Sequence, residues 1–364
     1  MSKDNSMKKQ STLMVMAGGT GGHVYPAIAV ADYLQSLGWK IVWLATQGGM
    51  ENRLIENKPY SKAMITMRGV RGKGLMGWLL LPFKLLKAFH QSLLAIAQYK
   101  PNVVLGMGGF AAFPGGMMAK LLATPLVIHE QNSVAGLTNK TLSLIANKVL
   151  VAFPSAFKRA QLVGNPVRKE MQQFGNVEER YLKRTDKLKL LVVGGSLGAA
   201  ALNEVLPKAL AAIPEAERPE IVHQAGEKHI ATLKSNYQKA GVKAEMKAYI
   251  QEMAEQYAWA DIVICRAGAL TIAELACVGV ASVLVPFPHA VDDHQTTNAR
   301  YLSENGAAIL IQQEKFTEEA AKDILQTLTR ERCLVMAKNA KALAKPEATQ
   351  SVAEVCMALA GETV

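Results

Sequence analysis

Hydrophobic residues along this chain come in short unbroken runs, each followed by a glycine-containing turn and then by a stretch with helical spacing. In the first half the runs are STLMVMAG, KIVWLAT, NVVLGMG, PLVIHEQ and KVLVAF; in the second they are KLKLLVVGG, EIVHQAG, DIVICRAG and SVLVPFP. A strand with one wet face alternates polar and apolar residues, whereas a continuous apolar run has no wet face. These runs therefore predict parallel sheets with helices on both sides. The expected fold class is α/β, with two doubly wound, Rossmann-like domains facing a cleft, since 364 residues suffice for two cores. LMVMAGGTGGHVYPAIAVADYL and LLVVGGSLGAAALNEVLPKAL echo one another as the same strand-turn-helix unit. The polar stretch from Gly164 to Lys187 reads as the join. The expected bounds are 11–168 for an N-terminal domain, 188–345 for a C-terminal domain, and 346–364 for a terminal helix whose docking the sequence leaves open.

The first run leads into AGGTGGH, residues 17–23, with four glycines in seven residues. A strand that turns abruptly into a helix leaves the first helical N–H groups unpaired at the positive end of the dipole. Glycine lets an anion reach them. GMGG at 106–109 and GGSLG at 194–198 repeat the device. Glycine also serves plain tight turns, but three such turns in one doubly wound chain favour phosphate. None is a Walker A loop, and none fits G-x-G-x-x-G cleanly. QGGM follows the second strand, where a dinucleotide fold carries an acid for the ribose, which argues against NAD.

Charge adds a direction. Residues 1–170 hold 20 Lys and Arg against 6 Asp and Glu, while the remainder hold 21 against 24. The first half therefore faces polyanions, whether phosphorylated substrates, an anionic membrane surface or nucleic acid. No basic-aromatic platform supports nucleic acid. Cys265, Cys277, Cys333 and Cys356 lack metal or redox spacing and read as buried thiols. The polar opening MSKDNSMKKQ carries no secretion signal, and a cytoplasmic protein is expected.

In residues 265–302 the strand DIVIC ends at Arg266-Ala267-Gly268 and a helix begins near Ala269. Glu274 has two readings. With Thr271 it has capping-box spacing and complements the dipole; alternatively, its carboxylate accepts both hydroxyls of a ribose whose diphosphate lies at a neighbouring helix start. His289 and His294 have no third partner at metal-ligand spacing and read as surface loop.

Six motifs then occur in order: AGGTGGH followed by P-A-hydrophobic-A, HEQN at 129–132, GNPVR at 164–168, GGSLGA at 194–199, RAGALTIAE at 266–274 and DDHQ at 292–295. Together they resemble the MurG family of peptidoglycan N-acetylglucosaminyltransferases over nearly the whole chain, apart from the first ten residues and about 170–188. The resemblance implies a GT-B fold, with the acceptor in the N-terminal domain and the nucleotide sugar mainly in the C-terminal one. It implies inverting transfer of GlcNAc from UDP-GlcNAc to the MurNAc C4 hydroxyl of undecaprenyl-pyrophosphoryl-MurNAc-pentapeptide (lipid I), giving lipid II and UDP. Donor contacts are implied for Thr20, Gly21 and Gly22, for Asn132 and Gln295 at the GlcNAc hydroxyls, for Arg168 and Ser196 at the diphosphate, and for Ile250 at the uracil. Ala269, Leu270, Thr271, Ile272, Ala273 and Glu274 are implied to follow the nucleotide, with Glu274 on the ribose. Gly108 and Gly109 are candidates for the acceptor diphosphate.

The reaction needs a base, and His23 suits it because imidazole titrates near neutrality. At a helix start His23 can equally donate to a phosphate, and Glu130 is the weaker alternative base. No Asp-x-Asp exists; Asp292 and Asp293 are adjacent. No obligatory metal or other cofactor is therefore expected, with helix starts and Arg168 stabilising the leaving diphosphate. A nucleotide-sugar epimerase of the same architecture would need no lipid site, and the basic first half speaks against it.

LMGWLLLPFKLLKAFHQSLLAIA, residues 75–97, is interrupted by Pro82, Lys84, Lys87 and His90 and cannot span a bilayer. Preceded by Arg68, Arg71 and Lys73, it reads as an amphipathic element on an anionic membrane surface, or as a helix packed on its own sheet. The expected location is peripheral, on the cytoplasmic face of the plasma (inner) membrane. The expected partners are UDP-GlcNAc, lipid I and other cell-wall synthesis proteins.

Overall fold

The computed structural model describes residues 10–67, 81–154, 157–195 and 198–362. Arg68, Arg71, Lys73, residues 75–80 and Ser196 lie outside them. The chain divides into two compact units, one formed by 1–168 with 347–364 and the other by 169–346.

In the first unit the described strands are β1 (Thr12–Ala17), β2 (Lys40–Thr46), β3 (Ser61–Ile65), β4 (Val103–Gly108), β5 (Leu126–Glu130), β6 (Lys148–Val151) and β7 (Ala160–Leu162). All pair in parallel, in the order β3-β2-β1-β4-β5-β6-β7. β1 is central, with Leu13 opposite Ile41 on one side and Val103 on the other. Leu13, Val15 and Ala17 enter one core with Val24, Ala27 and Ala31 of the helix Gly21–Ser36. Met14 and Met16 enter the opposite core with Ala88 and Ile96 of the helix Leu81–Tyr99 and with Ala112 and Ala119 of the helix Ala112–Leu121. Burial on both faces is the reason the run is unbroken. The terminal helix Ala348–Leu359 places Val352, Ala353 and Cys356 in the same core as the helix Gly21–Ser36.

The second unit repeats the plan with β8 (Lys189–Val193), β9 (Glu220–Gln224), β10 (Glu245–Lys247), β11 (Ile262–Cys265), β12 (Ala281–Leu284) and β13 (Ala308–Leu310), parallel in the order β10-β9-β8-β11-β12-β13. Leu190, Val192, Ile262, Ile264, Ala281 and Val283 form its core with the helices Ala200–Ala211, Ile230–Ala240, Glu318–Thr327 and Arg330–Ala342. The stretch read as the join also holds a short helix, Val177–Leu182, whose Val177 and Tyr181 belong to this core. The Tyr181 hydroxyl donates to the Asp261 carbonyl at 2.7 Å. The buried Asp261 carboxylate is paired with Arg184 and Arg330.

Candidate active site

In both sheets the chain reverses direction beside the first strand. It runs β1-β2-β3 outward and returns to β4 on the other side of β1; it runs β8-β9-β10 outward and returns to β11 on the other side of β8. Such reversal points open a crevice at the carboxyl ends of the strands, and ligands bind there in open α/β sheets. The turns Gly18–Gly22 and Gly108–Gly109 flank the first crevice, and Gly194–Gly195 and Arg266–Gly268 flank the second. The helices Gly21–Ser36, Ala200–Ala211 and Ala269–Val278 that leave these turns have Thr20, Ala199 and Gly268 at their N-caps, with no side-chain cap and no acidic residue in the first turn. Asn176, Thr317 and Thr329, by contrast, cap their helices with their own side chains. The uncapped starts present N–H groups and a positive dipole end to the crevices, which is chemistry suited to a phosphate.

The two turns of the first unit meet through missing side chains. A Cβ on Gly109, whose φ is +89°, would lie 2.4 Å from the Gly18 carbonyl oxygen. One on Gly108 would lie 2.9 Å from Cε1 of His23, so the bare backbone seats the imidazole ring. His23 Nδ1 lies 2.8 Å from Gln131 Oε1, and the Gln131 amide nitrogen lies 3.1 Å from His129 Nδ1. His129 Nε2 in turn lies 2.9 Å from the carbonyl of Gly164, the first residue of GNPVR. Arg168, the last, stands over the Tyr25 ring at 5.9 Å. Asn132 is tethered through its backbone N–H to Glu130 Oε1 at 3.0 Å. Buried Glu130 also accepts from Gly136 N–H at 3.1 Å and from the Asn139 amide at 2.9 Å. Both of its oxygens are thus engaged in holding the loop after β5, which argues against Glu130 as a base.

In the second unit the helix Ala269–Val278 starts before Thr271, so the capping box read from the Thr271–Glu274 spacing does not form. Leu270, Thr271, Ile272 and Ala273 wind up its first turns. Glu274 is buried on the second turn, with the Tyr257 hydroxyl 3.5 Å from Oε2. Gln295 Oε1 accepts from Ala267 N–H at 3.3 Å and Phe287 N–H at 2.9 Å, and Asn298 donates to the Ala267 carbonyl at 3.3 Å. These two side chains hold the turn that launches the helix. Just ahead of Gln295, Asp292 and Asp293 both adopt left-handed backbone, φ 54° and 49°. Ile250 is buried in the turn after β10, beside a depression of about 620 Å³ lined also by Tyr249, Gln251 and Gln256. His289 is exposed in a loop and His294 opens the helix His294–Ser303. Among the described residues no three of His, Cys, Asp and Glu converge as metal ligands.

The sequence reading drew roles from HEQN for Asn132 and Glu130 but none for His129 and Gln131, which look like the buried end of a strand. It also passed over Arg266, whose guanidinium donates to the carbonyls of Val285 and Pro286, both at 3.1 Å, and to Gln313 Oε1 at 2.6 Å. Nothing in local spacing marks these contacts, which join separate strand ends.

Residues 13–151 match the glycosyltransferase family 28 N-terminal domain and residues 189–354 its C-terminal domain. The UDP-N-acetylglucosamine--N-acetylmuramyl-(pentapeptide) pyrophosphoryl-undecaprenol N-acetylglucosamine transferase of Nitrosospira multiformis is 54% identical over 95% of this chain and 98% of its own. The protein of the same name from Burkholderia thailandensis is 55% identical over 96% of each. The crystal structure of Acinetobacter baumannii MurG superposes with a TM-score of 0.83 at 41% identity, covering 96% of this chain and 99% of that one. The calicheamicin glycosyltransferase CalG4, with a TM-score of 0.67 at 15% identity over 97% of this chain and 99% of that one, shares the fold. With both domains matched in order and relatives of this identity spanning nearly its whole length, the chain belongs to glycosyltransferase family 28 and, within it, to the MurG family of N-acetylglucosamine transferases.

Proposed function

We propose that the chain transfers GlcNAc from UDP-GlcNAc to the C4 hydroxyl of MurNAc in lipid I, giving lipid II and UDP with inversion at the anomeric carbon. The observation that carries this reading is the pair of chain-reversal crevices, each flanked by an uncapped helix start, in a chain whose relatives bear that activity in their names. The acceptor oxygen forms its bond to the anomeric carbon as the bond to the UDP oxygen breaks on the opposite face. His23 takes the hydroxyl proton. Backbone amides at the helix starts, with Arg168 and Ser196, stabilise the departing diphosphate without an obligatory metal. Glu274 holds the ribose, Ile250 the uracil, and Asn132 and Gln295 the transferred sugar.

Access to a lipid-borne acceptor calls for the membrane surface. No helix among the described residues is long and apolar enough to cross a bilayer. The helix Leu81–Tyr99 instead exposes Phe83, Leu86 and Leu94 beside Lys87, a pattern suited to peripheral contact with anionic lipid.

The test is incubation of labelled UDP-GlcNAc with a lipid I analogue. Disaccharide product is expected, and its absence overturns the proposal. His23→Ala is expected to lower kcat by about 100-fold or more with the donor KM nearly unchanged; full turnover in that variant removes His23 as the base.

A further inference from the structure

A chain of hydrogen bonds ties His23 to two backbone carbonyls, and its far end fixes its direction. Burial pushes the His129 imidazole down to about 4, so it is neutral at physiological pH. Its Nε2 lies 2.9 Å from the Gly164 carbonyl oxygen. A carbonyl only accepts, so Nε2 holds the proton and Nδ1 is a lone pair. Gln131 Nε2 lies 3.1 Å from that lone pair and 3.1 Å from the His129 carbonyl oxygen. Two acceptors require the amide nitrogen on this side, which leaves the amide oxygen facing His23 Nδ1 at 2.8 Å. Because that oxygen cannot donate, His23 Nδ1 must carry the hydrogen. Nε2 is then the nitrogen that gains and loses a proton.

We propose that Gln131 is a positioning residue: anchored by His129 and Gly164, its side chain holds His23 in the Nδ1–H form and presents Nε2 as the proton acceptor. The catalytic consequence rests on His23 being the base of the transfer reaction; the tautomer itself does not. Gly108 completes the seat by letting backbone pack against the ring. Among the described residues His129 interacts electrostatically with His23; of the charged groups on the adjoining segments, Glu130 has its oxygens taken by Asn132, Gly136 and Asn139, Arg168 stands over Tyr25, and the Glu51 carboxylate lies beside Gly18.

Selective ¹⁵N labelling of histidine reads the proposal directly in the whole protein without substrate. In the neutral imidazole, Nδ1 is expected to resonate as a protonated and Nε2 as an unprotonated nitrogen; the reverse assignment overturns the proposal. In Gln131→Met the two signals are expected to move toward a common average. The same variant is expected to lose about 10-fold or more in kcat, part of the about 10²- to 10⁴-fold that a general base supplies, with the KM for UDP-GlcNAc steady. Gln131→Glu retains an acceptor for Nδ1–H, and its carboxylate is expected to move the acid limb of the kcat profile to higher pH. A Gln131→Met enzyme with wild-type kcat and pH profile overturns the positioning role. Full turnover in His23→Gln, with the tautomer as assigned, sinks the base reading alone. If Gln131→Met does not fold, the wild-type spectrum still decides.

Discussion

At Gly109 the absence of one methyl group lets two loops meet. A side chain there would collide with the backbone of Gly18 and require left-handed φ. Gly109→Ala is expected to destabilise the first unit by about 3 kcal/mol, combining overpacking with backbone strain, and to lower the urea midpoint accordingly. The sequence marks these glycines as hosts for an anion; it does not show that one turn rests against the other, because the contact joins residues 91 apart in the chain. Histidines give a second test at this scale. Burial pushes His129 down to about 4 and His223 down to about 3. His223 is accommodated neutral by the Tyr237 hydroxyl and Asn203 Oδ1, each 3.0 Å away. An unfolded histidine takes up a proton near pH 6.5, so below that the unfolded state binds more protons and stability falls with pH, until about 4 for His129 and about 3 for His223. Each contributes about 1.4 kcal/mol per pH unit in its window. Urea unfolding at pH 6.5 and 5.5 is expected to register this loss, and His223→Gln to flatten the slope of the second unit.

Among the elements, the buried strands were legible and the edges were not. β1, β2, β4, β5, β6, β8, β9, β11 and β12 all coincide with the short runs read from the sequence, although β5 (LVIHE) and β9 (EIVHQ) end in polar residues. β3 (SKAMI), β7 (AQL), β10 (EMK) and β13 (AIL) are short border or near-border strands, and three of them carry polar residues, so periodicity hardly registers them. The helix Leu81–Tyr99 resolves an ambiguity that composition left open. It buries Ala88, Ser92, Ala95 and Ile96 on one stripe, while Phe83 and Leu86 remain 71% and 65% exposed. It packs on its own sheet and still offers an apolar face. Replacing both Phe83 and Leu86 by Ser is expected to weaken retention on anionic vesicles while the melting temperature stays within a few degrees, since neither side chain supports the core. Retention equal to wild type would remove this helix from membrane contact.

For the whole molecule, the doubly wound plan of both halves followed from the order of runs and turns, and the described residues proposed for the site lie at or beyond the carboxyl ends of strands. What the sequence concealed was the path of the chain. The polar stretch after Gly164 contributes Val177 and Tyr181 to the second core, which the sequence did not show because a six-residue helix is too short to declare its apolar side. The final helix, Ala348–Leu359, completes the core begun by Val24, Ala27 and Ala31 more than 300 residues earlier. During synthesis, then, the half made first keeps an apolar surface uncovered until the segment 348–359 has emerged, and severing the chain near residue 168 yields one fragment lacking its cover and another carrying a stray helix.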